Sequence, residues 1–497
     1  MTKILVFLYY YLIFDKNVSQ QMEIVTDNLE NEAPIRPLFD AQRQHARIVA
    51  LTKAPERIGK LKKIQAYLLK NRTGLTTALY TDFRKPPAET ELTELFATNN
   101  ELNVAIQQLK QWMKPHPVPT PLAMLGTSGY VRYEPKGVTL IIAPWNYPFY
   151  LIIKPLISAL AAGNTAILKP SELTPATTAF IREMIRSLFA EEEVAVVEGD
   201  ATVAQKLLEL PFDHIFFTGS TAVGKQVLAA AARNLTSVTL ELGGKSPCLV
   251  DETADIEATA RRIAWGKWVN SGQTCVAPDY VLVQRLVKDR LVEAIRKAVQ
   301  RMYNADGKGV QASESYARII NNRHFDRLKA LLDDAREKGC TVSMGAQTDP
   351  ADRFIEPTLL ENVSINMGVM QEEIFGPLLP IIPYDTREEV LRYLTGRDKP
   401  LVMYLFSQTA SATDHWLDRT SAGNTVINDT LIHFAHTELP VGGVNQSGIG
   451  KSNGFYGFQE FSNARGVVHR QFGVLDLIYP PYSDKVKRLI NFFVKYL

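Results

Sequence analysis

Between Val138 and Arg233 the chain switches repeatedly between two kinds of apolar pattern. Val138 to Ala143 is a continuous β-branched run of the kind found in strands buried on both faces. Phe149 to Ala162 reads as a helix closed by Gly163, Thr165-Ala166-Ile167-Leu168 as a strand, and Thr174-Pro175 as the N-cap and first turn of another helix. Val194 to Val197, Ala201 to Leu208 and His214 to Phe217 continue as strand, helix and strand, and Gly219 to Gly224 opens a helix running to Arg233. Such an alternation buries its strands in a parallel sheet with helices on both faces, so a doubly wound α/β domain is expected. At 497 residues the chain exceeds what one core can hold. A second α/β unit is expected from near Leu242 to about Ile427, with helices over Val287 to Met302 and Phe325 to Lys338.

The flanks read differently. From Phe39 to Arg72 helical spacing puts Ile58, Leu61, Ile64 and Leu68 on one face, and Pro55 splits the run into two helices. A third helical stretch runs from about Glu89 to Trp112. Pro115, Pro117, Pro119 and Pro121 then rule out helix interior and open an extended arm that continues through Gly129 to Tyr133. The β-prone Val467-Val468-His469 is a candidate partner for that arm, with a surface linker as the alternative. At the start of the chain, Lys3 followed by Ile4 to Phe14 has the make-up of a signal peptide but lacks a small-residue cleavage site. It also falls short of the roughly 20 apolar residues a spanning helix needs. The expectation is an upstream start codon, with Met22 as the true first residue. Asp484 to Leu497 reads as a short basic amphipathic helix, suited to packing or to a membrane surface. Lys plus Arg (55) balance Asp plus Glu (53) and are dispersed, which excludes a nucleic-acid footprint. Cys248, Cys275 and Cys340 are too widely spaced for a disulfide framework or a zinc motif, so no metal site is expected and a reducing, cytoplasmic setting fits.

The chemistry-bearing residues sit at the ends of these elements. Cys275 lies between the amphipathic run Ile256 to Val269 and the strand-like Tyr280 to Val283, a junction that can present a thiol at a cleft mouth. On its own, a cysteine there is more often a packed hydrophobe. Ser220 through Lys225 follows a strand and opens a helix, whose free N–H groups and dipole suit a phosphate. The spacing of Gly219 and Gly224 is not the usual G-x-G-x-x-G. Lys169 and Glu172 stand at a strand's carboxyl end, where ribose hydroxyls could be bonded. A carboxylate there disfavours a 2′-phosphate and points to NAD before NADP, although a solvated ion pair is the plainer reading of those two residues alone. Asn146 offers an amide to a developing oxyanion, although two prolines and an Asn also make an ordinary turn. Glu241 sits among apolar strand residues ahead of Gly243-Gly244, where desolvation raises a carboxyl toward the range of a general base. Glu373, with Phe375 two residues on, couples a carboxylate to a ring able to pack on a flat ligand.

Together, Pro144-Trp145-Asn146, Lys169, Gly219-Ser220-Thr221, Glu241-Leu242-Gly243-Gly244, Gly272-Gln273-Thr274-Cys275, Glu373-Ile374-Phe375-Gly376-Pro377 and Pro440-Val441-Gly442-Gly443 with Ser447-Gly448 resemble the NAD(P)-dependent aldehyde dehydrogenase superfamily. The resemblance covers about Phe39 to Arg470, and the short N-terminal portion and Ile478 to Tyr482 look like its class 3 branch. Val441 stands where the family more often has Phe. The resemblance implies a doubly wound, parallel-sheet NAD(P)-binding domain (22–114 and 136–241), a second α/β catalytic domain (242–430) and a small β oligomerisation arm (115–135 and 431–470). Residues 1–21 would be an N-terminal extension and 471–497 a tail. It implies that the Cys275 thiolate attacks the aldehyde to give a thiohemiacetal, with the Asn146 amide and the Cys275 backbone N–H stabilising the oxyanion. Hydride passes to the nicotinamide, and Glu241 activates water to release the acid from the thioester. In the class 3 branch Glu373 rivals Glu241 as base; otherwise it holds the nicotinamide-side ribose, with Phe375 packing nearby. Lys169 and Glu172 would take the adenosine ribose, and Ser220, between Gly219 and Gly224, the pyrophosphate. The resemblance further implies a homodimer, use of NAD or NADP, and medium- to long-chain aliphatic or aromatic aldehydes. A CoA-acylating relative is the alternative within enzymology, against which Glu241 argues. A non-catalytic structural relative is a second, against which the intact set Asn146, Glu241, Cys275 and Glu373 argues. A cysteine hydrolase would need a partner His, and none of the eight histidines lies in a recognisable motif.

Overall fold

Strands Val138–Ile142, Thr165–Lys169 and His214–Thr218 are buried at every position, which is why their sequences do not alternate. They are the centre of a six-stranded sheet in the computed structural model, which describes residues 35–473 and 475–496. The signal-peptide-like segment and Met22 lie outside the described residues. The strand order is Gly448–Ile449, Ser237–Glu241, His214–Thr218, Val138–Ile142, Thr165–Lys169, Val194–Val196. All neighbours are parallel except Gly448–Ile449, which runs antiparallel beside Ser237–Glu241 with Gly448 opposite Glu241. The chain winds to one side of Val138–Ile142 and then to the other, as a doubly wound domain does.

A seven-stranded sheet forms the second unit, in the order Thr341–Met344, Thr358–Glu361, Leu378–Tyr384, Tyr280–Gln284, Pro247–Val250, Val402–Phe406, Asn424–Ile427. Only its edge strand Thr341–Met344 is antiparallel. The proline-flanked excursion does become an arm: His116–Val118, Thr127–Pro135 and Ser462–Arg470 make a three-stranded antiparallel sheet in which Val467 faces Tyr130 and Val468 faces Gly129.

Helices Ile35–Val49 and Ala54–Lys70 are separated by residues 50–53, Pro55 stands in the first turn of the second, and Leu61, Ile64 and Leu68 are buried. Helix Arg72–Phe83 was not expected. Arg72 and Asp82 fall on the same side as Leu75, Ala78, Leu79 and Phe83, and Gly74 and four threonines are weak helix formers, so tertiary packing of Leu75, Leu79 and Phe83 makes the helix. The stretch from Glu89 is not one regular helix either. A π-helical turn, Glu91–Phe96, interrupts it before Ala97–Trp112. At Thr174 the expected side-chain cap is absent. Asp82, from the unexpected helix, takes its place: its carboxylate accepts from Ala176 N (3.0 Å), Thr177 N (2.9 Å) and Thr177 Oγ1 (2.7 Å). A carboxylate reaching two free N–H groups satisfies more of the helix end than one hydroxyl can.

Candidate active site

Helix Ile256–Trp268 ends in a tight turn, Val269–Gly272, where Asn270 and Ser271 adopt φ of 55° and 52° and Gly272 adopts 74°. A side chain at Gly272 would collide with the Gly376 carbonyl, so glycine is required there. Side chains lock the turn. Asn270 Nδ2 donates to Asn146 O (2.8 Å) and Gln273 O (3.2 Å), and Ser271 Oγ donates to Ala317 O (2.8 Å). Gln273 Nε2 donates to Asn270 O and Arg318 O (both 3.0 Å), while its Oε1 accepts from Ile320 N (2.9 Å). Cys275 follows this base and is partly exposed, whereas Cys248 is buried. Asn146 is 2% exposed and its Nδ2 donates to Gln273 O (3.0 Å), so the amide and the thiol are held by one short piece of backbone. That bond uses one of the two amide hydrogens.

Tyr147 pins the same turn, its hydroxyl 2.8 Å from Thr274 Oγ1. The Lys85 ammonium lies 3.8 Å from the centre of the Tyr147 ring and 2.9 Å from Glu94 Oε1, with both charged side chains fully buried. The other Glu94 oxygen accepts from Tyr150 N (2.7 Å). Lys85 and Glu94 carried no signal in the sequence, because their meeting depends on the π-helical turn.

Glu241 ends its strand and is 8% exposed. Its Oε1 accepts from Ser452 Oγ (2.8 Å), which in turn accepts from Lys154 Nζ (2.9 Å). Burial raises the Glu241 pKa, opposed by the Lys154 ammonium and the Ser452 hydroxyl. Burial lowers that of Lys154, opposed by Glu101 and Glu241. The Glu373 carboxylate packs against the α-carbon of Gly243, and burial, reinforced by Asp279, pushes it up to about 8. Burial, then Glu373 and Glu241, push the Cys275 thiol up to about 12. Thiol and carboxylates are thus electrostatically coupled, and the thiol holds its proton while both carboxylates are charged.

Two cavities meet this region. One, of about 240 Å³, reaches Thr274 and Cys275 and is walled by Leu92, Phe96, Tyr150, Trp265, Ile432 and Phe434. The other is a cleft of about 1290 Å³ whose walls include Thr221, Lys225, Gly243, Gly244 and Glu373. Gly219 and Ser220 lead into it, and Ser220 Oγ accepts from Val223 N (3.4 Å) as N-cap of helix Thr221–Ala232. Gly224 lets that helix approach Leu242, which a side chain would strike. Just before the turn, Thr218 Oγ1 is buried with no hydrogen-bond partner among the described residues. Lys169 and Glu172 lie two strands away: Lys169 is 3% exposed, its Nζ 2.9 Å from Pro170 O and 3.3 Å from Oε2 of the solvent-exposed Glu172. Phe375, at φ 47°, sets its ring edge-on to Trp145 with centres 5.4 Å apart. Among the described residues no group of three or more His, Cys, Asp or Glu is placed to hold a metal ion.

A model of the aldehyde dehydrogenase family matches residues 16–467. The chain is 44% identical over 434 residues to the 4,4'-diaponeurosporen-aldehyde dehydrogenase of Staphylococcus aureus (strain NCTC 8325 / PS 47), covering 87% of this chain and 93% of that protein. It is 41% identical over 473 residues to aldehyde dehydrogenase family 3 member B1 of Rattus norvegicus, covering 94% and 97%. The solved substrate-bound state of Staphylococcus aureus AldH is similar with a TM-score of 0.88 at 42% identity, covering 93% of this chain and all (100%) of that one.

Proposed function

The chain belongs to the aldehyde dehydrogenase family, and on that footing we propose that Cys275 is its nucleophile, Asn146 and the Cys275 backbone N–H its oxyanion donors, and Glu241 the base that activates water. It is an NAD(P)-dependent enzyme that oxidises aldehydes. The observation that carries the assignment is the 3.0 Å bond from Asn146 Nδ2 to Gln273 O, which holds an amide donor beside the turn that presents the thiol. The thiolate, the minority but reactive form of Cys275, attacks the aldehyde carbonyl to give a thiohemiacetal whose oxyanion accepts a hydrogen bond from the free amide N–H. After oxidation the Cys275 thioester needs water. Glu241 accepts the water proton, and Ser452 and Lys154 hold its carboxylate in place. Glu373, pushed up to about 8, keeps its proton at neutral pH, which favours Glu241 as the base. A second reading makes Glu373, buried against Gly243 at the wall of the cofactor cleft, the base. The presence of Glu241 supports hydrolysis over acyl transfer to CoA.

Bound NAD(P) supplies the hydride acceptor. The residues present fit it: a helix N-terminus capped by Ser220, the unpartnered Thr218 hydroxyl before it, and a roomy cleft floored by Gly243 and Gly244. In this reading Gly219, Ser220 and Gly224 form the pyrophosphate turn, Lys169 and Glu172 take the adenosine ribose, and Glu373 and Phe375 flank the nicotinamide end. The almost wholly apolar cavity at Cys275 suits medium- to long-chain aliphatic or aromatic aldehydes. The proposed organisation assigns 22–114 and 136–241 to the NAD(P)-binding domain, 242–430 to the catalytic domain, and 115–135 with 431–470 to an arm that joins two copies. Exposed Val118, Leu122, Leu125 and Val468 on or beside that arm support a homodimer. No helix among the described residues is long and apolar enough to cross a membrane, and a cytoplasmic location is proposed from the cysteine usage.

Purified protein offered a panel of aliphatic and aromatic aldehydes with NAD or NADP should produce reduced cofactor. Cys275→Ala should lower kcat on the order of a thousand-fold or more. Undiminished turnover in that variant would refute the nucleophile assignment.

A further inference from the structure

Asn146 and Tyr147 meet the turn that presents Cys275 through consecutive contacts. Asn146 Nδ2 donates to Gln273 O (3.0 Å), and the Tyr147 hydroxyl lies 2.8 Å from Thr274 Oγ1. Where that hydroxyl sits depends on what holds the ring. The Lys85 ammonium lies over one face, 3.8 Å from the ring centre. Glu94 Oε1 holds Lys85 at 2.9 Å, and both side chains are fully buried. Glu94 is anchored in turn, because its other oxygen accepts from Tyr150 N (2.7 Å). The same short segment reaches the turn at a second place, where the Glu89 carboxylate faces the Asn270 N–H. A chain of contacts therefore runs from Tyr150 N through Glu94, Lys85 and Tyr147 to Thr274, one residue ahead of the thiol.

We propose that Lys85 is a positioning residue for aldehyde attack, acting through Tyr147 to hold the Cys275 turn in register with the Asn146 amide. This rests on the roles of Cys275 and Asn146 proposed above. Stability does not account for the Lys85–Glu94 pair. Taking two charges out of water is costly enough that apolar residues of similar volume often serve a fold as well or better. What the pair supplies is direction. An ammonium fixed by a carboxylate on one side attracts the ring face on the other, and the attraction is strongest where water is excluded. Direction matters at this place, because an oxyanion donor acts only at hydrogen-bond distance and a misplacement of about 1 Å can cost about a hundred-fold in rate. The π-helical turn Glu91–Phe96 fits the same role. Such turns are rare and gather at functional sites. Here the turn carries Glu94 inward to Lys85 while Leu92 and Phe96 wall the aldehyde cavity.

A single turnover of the full chain, with saturating NAD and a water-soluble aldehyde, reads attack and hydride transfer without thioester release. Lys85→Met/Glu94→Gln removes both charges at similar volume and keeps an acceptor for Tyr150 N, so no lone charge is left buried. It should slow the first turnover by between about ten- and a hundred-fold. Iodoacetamide builds no oxyanion on reacting with a thiolate, so it should still alkylate Cys275 at close to the parent rate. Tyr147→Phe, which keeps the ring, should slow the first turnover by a similar factor. Combining it with the charge-pair variant should slow it no further, because both act through one hydroxyl. A parent-rate first turnover in either variant, or losses that multiply on combination, overturns the proposal. So does alkylation that falls in step with turnover, which would assign Lys85 to the folding of the turn alone. Should the charge-pair variant not fold, Tyr147→Phe still decides, since a parent rate there removes the path through its hydroxyl. Cys275→Ala keeps the two readings apart: if it is active, the nucleophile assignment fails, and if it is inactive beside parent-rate Lys85 variants, only the positioning role fails.

Discussion

At the scale of single residues, the site turns on a thiol that its surroundings keep protonated. Burial is the largest influence and the carboxylates Glu373 and Glu241 add to it, so removing either negative charge lowers the Cys275 pKa and increases the thiolate present at a given pH. Glu373→Gln and Glu241→Gln should therefore both speed alkylation of Cys275 by iodoacetamide at pH 8, followed by peptide mass at that cysteine; slower alkylation would contradict the coupling. Turnover separates the two carboxylates. If Glu241 is the base, Glu241→Gln should release one burst of reduced cofactor per site and then stall, the steady rate falling about a hundred-fold or more. Glu373→Gln should show no such burst, and the reverse pattern would transfer the role to Glu373. Asn146, Glu241 and Cys275 were legible in the sequence because each sits in a short motif at the end of a strongly patterned element. Ser452 and Lys154 were not: their bond joins residues 298 positions apart, and neither has a neighbouring pattern that marks it.

At the scale of elements, hydrophobic period identified the strands and most helices, and failed where charged residues interrupt the buried side. Helix Arg72–Phe83 is the instance, and it matters because Asp82 caps helix Pro175–Leu188 from outside. Asp82→Ala should destabilise the protein by about 1–2 kcal/mol and lower the Tm by a few degrees, measured by calorimetry. Thr174→Ala should have a smaller effect, since its hydroxyl makes no cap bond. An equal loss in the two variants would sink this account. The Lys85–Glu94 pair shows the same gap in the sequence reading: a loop residue ahead of Pro86-Pro87 and a π-helical residue nine positions on form a buried ion pair that packs on the Tyr147 ring beside the turn that presents Cys275.

At the scale of the whole molecule, the arm leaves apolar groups in solvent on and between its strands. Val468 is exposed on Ser462–Arg470, and Leu122 and Leu125 lie in the loop between the arm's first two strands. If these meet a second copy, Leu125→Glu/Val468→Asp should halve the molar mass seen by light scattering at dilute concentration, with little change in the far-ultraviolet circular dichroism; an unchanged mass would place the interface elsewhere. The pairing of this arm with Val467-Val468-His469 was expected from β-propensity. The return of Gly448–Ile449 to the edge of the six-stranded sheet, opposite Glu241, was not. The sequence alone determined the doubly wound alternation, the turn that presents Cys275 and the family's motifs, because backbone geometry ties each of them to a few consecutive residues. Only the tertiary structure decided which groups surround Glu241 and what caps helix Pro175–Leu188. A hydrophobic period states that a face must be buried, but the partner of a buried polar group is chosen by chain closure across hundreds of residues, where no local pattern records it.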